Sequence, residues 1–162
     1  MDYKIELAKC EDLNAIYKLI YDRCLWFSKN GVKGWNIESY PNKYNQEYFK
    51  NQMQINKLFI LKIDNNICGV MLIKETDSDY WKDNISSYYI HHLATDINKN
   101  GIGKLLINFA IEQCKIDNKS RLRLDCYKTS FFLNEYYKKL GFKNVGNGIK
   151  EDYEFNLWEM IV

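Results

Sequence analysis

A loop with two glycines, residues 98–104 (Asn-Lys-Asn-Gly-Ile-Gly-Lys), is the part of this chain best suited to bind an anion. The run before it, residues 88–94, has the composition of a strand, and residues 105–115 after it have helical spacing. Glycines at a strand-to-helix junction let backbone N–H groups approach a ligand closely, and the helix N-terminus carries partial positive charge. The loop therefore predicts a site for a phosphate or pyrophosphate.

Three kinds of phosphate-binding loop compete for this segment. A Walker A loop is excluded because Leu105 stands where a Ser or Thr must hold the magnesium ion. A dinucleotide fingerprint is disfavoured because Leu106 stands at the third glycine position and would push the helix away from the strand. The third pattern, (Gln/Arg)-x-x-Gly-x-(Gly/Ala), cradles the pyrophosphate of coenzyme A. Gly101 and Gly103 match this pattern, and Asn98 replaces its leading Gln or Arg.

A second motif downstream makes the third pattern specific. Residues 121–126 alternate as a strand, and residues 137–142 read Tyr-Lys-Lys-Leu-Gly-Phe. In this order and spacing, from about Ser86 to Phe142, the chain resembles the GNAT superfamily of N-acetyltransferases, which carry a Tyr-x-x-x-Gly-Phe motif after the glycine loop. A Gly-x-x-x-Trp segment at residues 31–35 resembles one branch of that family. The resemblance covers nearly the whole chain.

The resemblance implies a binding site for acetyl-CoA. In that family the sheet splays beside the strand before the loop, and the pantetheine arm lies in the gap. The contacts would fall on the strand residues Leu93, Ala94 and Thr95, and a backbone N–H of Leu93 or Ala94 would stabilise the oxyanion. Ser130 stands where the family often has an Asn that contacts the pantetheine arm. The loop residues that would meet the pyrophosphate are Asn98, Lys99, Asn100, Gly101, Ile102, Gly103 and Lys104.

The resemblance also implies how acetyl transfer would be catalysed. The family's tyrosine maps onto Tyr137, whose phenol, with a pKa near ~10, can donate a proton to the departing thiolate. Tyr136 lies beside it, and periodicity does not decide which of the two faces the sulfur. His91 and His92 are the only histidines, and alternation along a strand lets at most one face the site. His91 and Glu75 are the candidate bases, with ordered water as the alternative.

The expected reaction is transfer of an acetyl group from acetyl-CoA to a primary amine of a small-molecule or amino-acid-like acceptor. The amine would attack directly and form a tetrahedral intermediate, and no metal is required. The acceptor pocket would be built from the first two helices and the segment between them, with Trp26 and Trp35 as its wall. The alternative is a non-catalytic module that binds coenzyme A or acetyl-CoA as a sensor.

Composition limits the other functions of this chain. Its 162 residues fit one domain, 1–162, and 46% hydrophobic with 27% charged residues indicates a globular protein. A net charge of +2 does not indicate nucleic-acid binding. Five scattered cysteines argue against a disulfide framework or a zinc site and favour a cytoplasmic location. Neither a signal peptide nor a membrane span is evident. The sequence does not fix the oligomeric state, and a homodimer is one assembly that we consider.

The elements that must position these residues follow from hydrophobic periodicity. Strands and helices are interleaved, which predicts an α/β (α+β) domain, and the resemblance implies a GNAT-like mixed, mostly antiparallel sheet flanked by helices and splayed at the cofactor strand. The predicted strands are residues 3–7, 58–63, 67–73, 86–95, 121–127 and 153–157, and the predicted helices are residues 13 to about 30, 46–54, 105–115 and 131–139.

Overall fold

The structure is a computed structural model that describes residues 2–162. In this part of the chain, a short 3-10 turn (Cys10–Asp12) precedes the first α-helix. The helices are α1 (Leu13–Lys29), α2 (Tyr40–Lys43), α3 (Gln46–Ile55), α4 (Ile102–Ile116) and α5 (Phe131–Lys139). The strands are β1 (Lys4–Leu7), β2 (Lys57–Ile63), β3 (Asn66–Lys74), β4 (Ser87–Thr95), β5 (Arg121–Tyr127), β6 (Lys143–Lys150) and β7 (Tyr153–Ile161).

All seven strands form one sheet in the order β1-β2-β3-β4-β5-β7-β6. Only β4 and β5 run parallel, and the other neighbours are antiparallel. One core cluster joins α4 and α5 to the sheet, and a second joins α1 and α3 to it. The predicted mixed, mostly antiparallel sheet flanked by helices is confirmed. Among the helices described, none is both long and apolar enough to span a bilayer.

Most predicted elements form at the expected places. The turn between β2 and β3 uses Asp64 and Asn65 with φ of 50° and 62°, the left-handed geometry of a two-residue hairpin. Strand β6 and the one-turn helix α2 are the exceptions, because neither was predicted from the sequence. Strand β6 contains Gly146 and Gly148 and is largely exposed at the sheet edge. Pairing with β7 over its whole length, rather than its own composition, makes it a strand.

Strands β4 and β5 separate after three paired residues. The last pair is Tyr89 with Arg123, after which β4 stays with β3 and β5 stays with β7. The space between residues 90–95 of β4 and residues 124–127 of β5 is called the notch below. Its β4 side is an unpaired strand edge inside a seven-stranded sheet.

A buried arginine fixes the point where the two strands part. The Arg123 side chain is 1% exposed and lies 4.3 Å from the Trp81 ring centroid. Its guanidinium donates to both carboxylate oxygens of Asp83 at 2.8 and 2.9 Å, and to Glu159 at 2.8 Å. Such a buried cation is tolerated only because its donors are paired with carboxylates. Arg123 therefore joins β5, β7 and the loop before β4 at the closed end of the notch.

A β-bulge interrupts β4 inside the notch. Val70 pairs with Ala94 and Leu72 with His91, so Met71 faces two residues of β4. His92 takes the strain with a φ of 51°. The two histidine rings consequently lie 6.1 Å apart between centroids. The expectation that adjacent histidines must point to opposite faces is wrong here, because the bulge adds one residue to the strand.

His92 anchors the segment that joins α1 to α3. The residue is 7% exposed, and its Nδ1 and Nε2 are hydrogen-bonded to the hydroxyls of Tyr40 (2.6 Å) and Tyr48 (2.9 Å). One phenol donates to the bare ring nitrogen, and the protonated nitrogen donates to the other phenol. Burial lowers the pKa of His92 well below 6.5, and the charges of His91 and Lys74 lower it further. A neutral imidazole therefore attaches α2 and α3 to β4.

Asn134 attaches α5 to β5 and β7. Its Oδ1 accepts hydrogen bonds from Asn156 Nδ2 at 2.9 Å and Trp158 Nε1 at 3.0 Å. Its Nδ2 donates to the carbonyls of Tyr127 at 2.9 Å and Ser130 at 2.7 Å. The side-chain amide of Asn134 thus satisfies hydrogen-bonding groups from the loop before α5 and from β7.

Replacing Asn134 with Ala is expected to destabilise the protein by about 2–3 kcal/mol, because buried donors and acceptors lose their partners. Urea unfolding followed by circular dichroism measures the difference. Asn108→Ala, at an exposed site of α4, is the control and is expected to change stability by less than about 0.5 kcal/mol. Equal stability of the two variants would show that the Asn134 hydrogen bonds are dispensable.

The neutral His92 is expected to make stability depend on pH. Below about pH 6.5 the imidazole is protonated in the unfolded chain but stays neutral when folded, so acid favours unfolding. The stabilising contribution of the neutral ring is fully present above the pKa of His92 in the unfolded chain. It is lost as pH falls towards the pKa of His92 in the folded protein. His92→Gln should remove a slope of up to ~1.4 kcal/mol per pH unit between pH 6 and 5, measured by urea unfolding.

Tyr48→Phe is the matched control for this slope, since it removes one hydrogen bond and keeps the buried ring. The other charged or titratable groups near the ring are Tyr40, Tyr44, His91 and Lys74. All four are present in the wild type and in both variants, so their contributions cancel in the comparison. An identical slope in the wild type and His92→Gln would show that the ring is not held neutral.

Candidate active site

The glycine loop presents a row of backbone amides at the start of α4. Gly101 is the N-cap and has a φ of +84°, a backbone conformation that favours glycine. The amides of Asn98 and Lys99 donate to Oδ1 and the carbonyl of Asp96, at 2.9 and 3.2 Å. Within residues 2–162, the amides of residues 100–104 have no acceptor. This is narrower than the predicted 98–104 and leaves five N–H groups for an anion.

The amide row lies against α5 and the end of β4. A Cβ atom on Gly103 would overlap the Tyr136 hydroxyl and lie 3.9 Å from Cγ2 of Thr95. Gly103 is therefore needed for close approach, whereas Gly101 is needed for its backbone angle. The arrangement places the Tyr136 hydroxyl beside the row of free amides of residues 100–104. This row of amides is called the cradle below. The Asn98 side chain, in contrast, is exposed to solvent.

The edge of β4 continues from the cradle into the notch. The Asp96 amide donates to the Cys68 carbonyl of β3 at 2.8 Å. The N–H and C=O groups of successive residues point to alternate sides of a strand, so those of Thr95 point away from β3 and towards the notch. Arg23 Nη2 donates to the Thr95 carbonyl at 3.0 Å, which agrees with that direction. The same alternation places Leu93 on the notch side and Ala94, paired with Val70, on the β3 side.

Tyr137 lies on the β5 side of α5. It belongs to the core cluster that includes Cys126, and its ring centroid lies 5.9 Å from that of Phe142. Burial raises the pKa of Tyr137 well above 10, and the neighbouring Cys126 and Tyr136 raise it further. The phenol therefore keeps its proton at neutral pH. The two adjacent tyrosines thus have different surroundings, since Tyr136 contacts the cradle and Tyr137 packs towards β5.

His91 and Asp125 meet at the closed end of the notch. Each lies two residues beyond the last β4–β5 pair, so they face each other across the point of separation. His91 Nε2 lies 2.9 Å from Oδ2 of Asp77, whose side chain is 6% exposed. One ligand atom from each of these three residues lies within 4.8 Å of the others. A cation could bridge atoms at this spacing, and the imidazole retains Nδ1 for proton transfer.

Asp125 lies among aromatic rings at this end of the notch. Burial raises the pKa of Asp125 above its usual range, although the His91 charge and a 2.6 Å hydrogen bond from the Tyr153 hydroxyl oppose the shift. The Tyr153 ring packs against Tyr127 and Tyr80, with centroids 4.7 and 6.2 Å away. The cluster of Asp77, His91 and Asp125 is therefore walled by phenol rings.

Two predicted site residues lie elsewhere. Glu75 has a side chain that is 61% exposed and paired with Lys119 at 3.0 Å. It lines a cavity of about 260 Å³ near the start of β4, at the opposite end of that strand from the cradle. Ser130 is 1% exposed and is the N-cap of α5, where its Oγ accepts from the Leu133 amide at 3.4 Å. The structure thus gives Ser130 a capping role and separates Glu75 from His91.

The two tryptophans predicted for the acceptor wall occupy different places. Trp35 stacks on Tyr40 with centroids 4.5 Å apart and lies 6.5 Å from the His92 ring. Trp26 instead packs against Phe132 of α5, with a centroid distance of 5.4 Å. Phe27 contacts both, so one aromatic row joins the α2 segment to α5.

Sequence reasoning missed Asp77 and Arg23 and assigned no catalytic role to Asp125. Asp125 could have been found, since it lies on the polar face of a strand that alternates with buried Leu124 and Cys126. Asp77 lies in an irregular polar segment whose path no periodicity predicts. Arg23 reaches a residue 72 positions later, which a local pattern does not encode.

Comparison with known proteins is consistent with this geometry. The chain is 24% identical over 147 residues to the uncharacterized N-acetyltransferase YesJ of Bacillus subtilis (strain 168), which covers 86% of this chain and 81% of that protein. An acetyltransferase structure of the GNAT family from Listeria monocytogenes 4b F2365 shares 22% identity, with a TM-score of 0.80 over 99% of this chain and 95% of that one. The PaiA N-acetyltransferase of Thermoplasma acidophilum, solved with coenzyme A, gives 19% identity and a TM-score of 0.79, with both chains fully covered.

A family model described as an acetyltransferase (GNAT) domain matches residues 26–160. The match includes β4, the cradle, α5 and the Tyr-x-x-x-Gly-Phe motif. The chain therefore belongs to the GNAT family of N-acetyltransferases.

Proposed function

We propose that the protein transfers the acetyl group of acetyl-CoA to the primary amine of a small molecule. The observation that carries this proposal is the continuous path from the cradle, along the free edge of β4, to His91. The pyrophosphate would accept hydrogen bonds from the amides of residues 100–104, and the pantetheine arm would follow the β4 edge. The thioester would then lie at the closed end of the notch. The PaiA structure with coenzyme A supports a cofactor of this class.

The cluster at the closed end supplies the groups that acetyl transfer needs. Asp77 accepts a hydrogen bond from Nε2 of His91, which leaves Nδ1 to take a proton from the acceptor amine. The neutral amine attacks the thioester carbonyl, a C–N bond forms, and a backbone N–H of β4 stabilises the oxyanion. The tetrahedral intermediate then expels the thiolate as the C–S bond breaks. Tyr137 donates its proton to that sulfur.

The acceptor class follows from the charge and shape of the same end of the notch. Asp77 and Asp125 flank His91, so an arriving ammonium group would be attracted before it is deprotonated. An acceptor with a carboxylate next to its amine would bring a second acidic group up to Asp77 and would be disfavoured. The rings of Tyr80 and Tyr153 favour an apolar body. We therefore infer an alkyl or aryl-alkyl amine in preference to a free amino acid.

Ligand binding followed by turnover tests the proposed function. Acetyl-CoA and CoA are expected to raise the melting temperature by several degrees, whereas NAD and ATP should not, because they lack the pantetheine arm. Release of free thiol should then be detected with alkyl amines and be much weaker with free amino acids. Stabilisation by NAD or ATP alone would refute the cofactor. Stabilisation by acetyl-CoA without thiol release from any amine would favour the sensor alternative.

Tyr137→Phe is expected to lower kcat by about 100-fold or more while the Kd for acetyl-CoA changes less than about twofold, because the lost hydroxyl acts only on the leaving thiolate. Steady-state kinetics and calorimetry give the two numbers. Tyr136→Phe is the matched variant, and it should alter Kd more than kcat since its hydroxyl borders the cradle. If the two variants behave alike, or if Tyr137→Phe weakens binding and turnover equally, Tyr137 is not the proton donor.

A further inference from the structure

Arg23 projects from α1 to the end of β4 beside the cradle. Its Nη2 donates to both the carbonyl and the Oγ1 of Thr95, at 3.0 and 2.9 Å. The guanidinium carbon lies 5.2 Å from the ring centroid of Trp26 and 5.9 Å from that of Phe27. These contacts hold the planar group in one orientation at the open end of the notch.

The guanidinium has more hydrogen-bonding capacity than the protein uses. Among residues 2–162, acceptors are found only for Nη2, so Nε and Nη1 are left for another partner. Burial lowers the pKa of Arg23 from its usual value, and Tyr136 and Asp96 offset this in part. A half-buried cation with two unused nitrogen donors gains free energy when an anion approaches.

The position of Thr95 shows which ligand group Arg23 could reach. Cγ2 of Thr95 lies 3.9 Å from the Cβ position of Gly103, which belongs to the row of free amides. The same region is bordered by the Tyr136 hydroxyl. A ligand anion seated on the cradle would therefore lie between the first turn of α4 and the guanidinium of Arg23.

We propose that Arg23 binds the pyrophosphate of the cofactor from α1, opposite the cradle. This inference rests on the proposed function. Arg23 would supply the positive charge that Asn98 does not, since the Asn98 side chain is exposed and neutral. The lysines of the loop, Lys99 and Lys104, are exposed and their charges are solvated. Arg23 is a fixed, partly desolvated cation whose Nε and Nη1 can each donate to a phosphate oxygen.

Arg23→Gln tests the inference, because glutamine keeps a polar hydrogen-bonding side chain but carries no charge. Calorimetry would give Kd for CoA, for 3′-dephospho-CoA, which keeps the pyrophosphate, and for pantetheine, which lacks it. Kd should rise about tenfold or more for the first two ligands and less than about twofold for pantetheine. Arg23→Lys, which keeps the charge, should recover most of the affinity for CoA.

Lys18→Gln is the control for loss of one charge from α1, since its side chain is 74% exposed. It should leave all three affinities unchanged. An equal loss for pantetheine would show that Arg23 only shapes the strand edge, and a loss confined to CoA would assign it to the 3′-phosphate. Either result overturns the proposal, as does unchanged affinity in Arg23→Gln. If the wild type binds none of the CoA compounds, the proposed function fails as well.

Discussion

The separation of β4 from β5 is the constraint on which the rest of the structure depends. A strand edge left open inside a sheet exposes N–H and C=O groups that must find other partners. Here the pairing stops at Tyr89 and Arg123, and the edge beyond it runs to the cradle. α1, α4 and α5 surround this edge and contribute the side chains that line it. A sheet paired throughout would have the same core but no place for an extended ligand.

Two buried polar groups hold the notch in shape by opposite electrostatic means. Arg123 stays charged, and two carboxylates offset the free energy of removing it from water. His92 stays neutral, and two phenols satisfy its nitrogens. Arg123 fixes the end of the notch where β4 and β5 separate, and His92 fixes the aromatic segment that carries Trp35. His91 lies between them, and its Nε2 is hydrogen-bonded to the Asp77 carboxylate.

The sequence predicted those parts of the site that are encoded by short-range patterns. Strand β5 and helix α5 form over the predicted residues because alternation and helical spacing are local. The loop that begins α4 was predictable for the same reason, since Gly101 marks its backbone angle and Gly103 its close approach to α5. Periodicity favoured neither His91 nor Glu75 as the candidate base. The contact that leads us to propose His91 is made by Asp77, whose position depends on how an irregular segment folds back onto β4.

Long-range features account for what the sequence did not predict. Strand β6 exists because β7 pairs with it, and its glycines disfavour a strand in isolation. The contact of Arg23 with Thr95 spans 72 residues and depends on how α1 crosses the sheet. The bulge in β4 is equally hidden, since a histidine with a positive φ has no signature in a single sequence.

The bulge also limits which residues this strand can accept at position 92. A residue at position 92 must tolerate a left-handed backbone, which strongly disfavours β-branched side chains. It must also offer hydrogen-bonding atoms to Tyr40 and Tyr48. Asparagine meets the first requirement but has a shorter reach, and glycine meets only the first. His92 thus has an architectural role, and two neighbouring histidines on such a strand do not imply two bases.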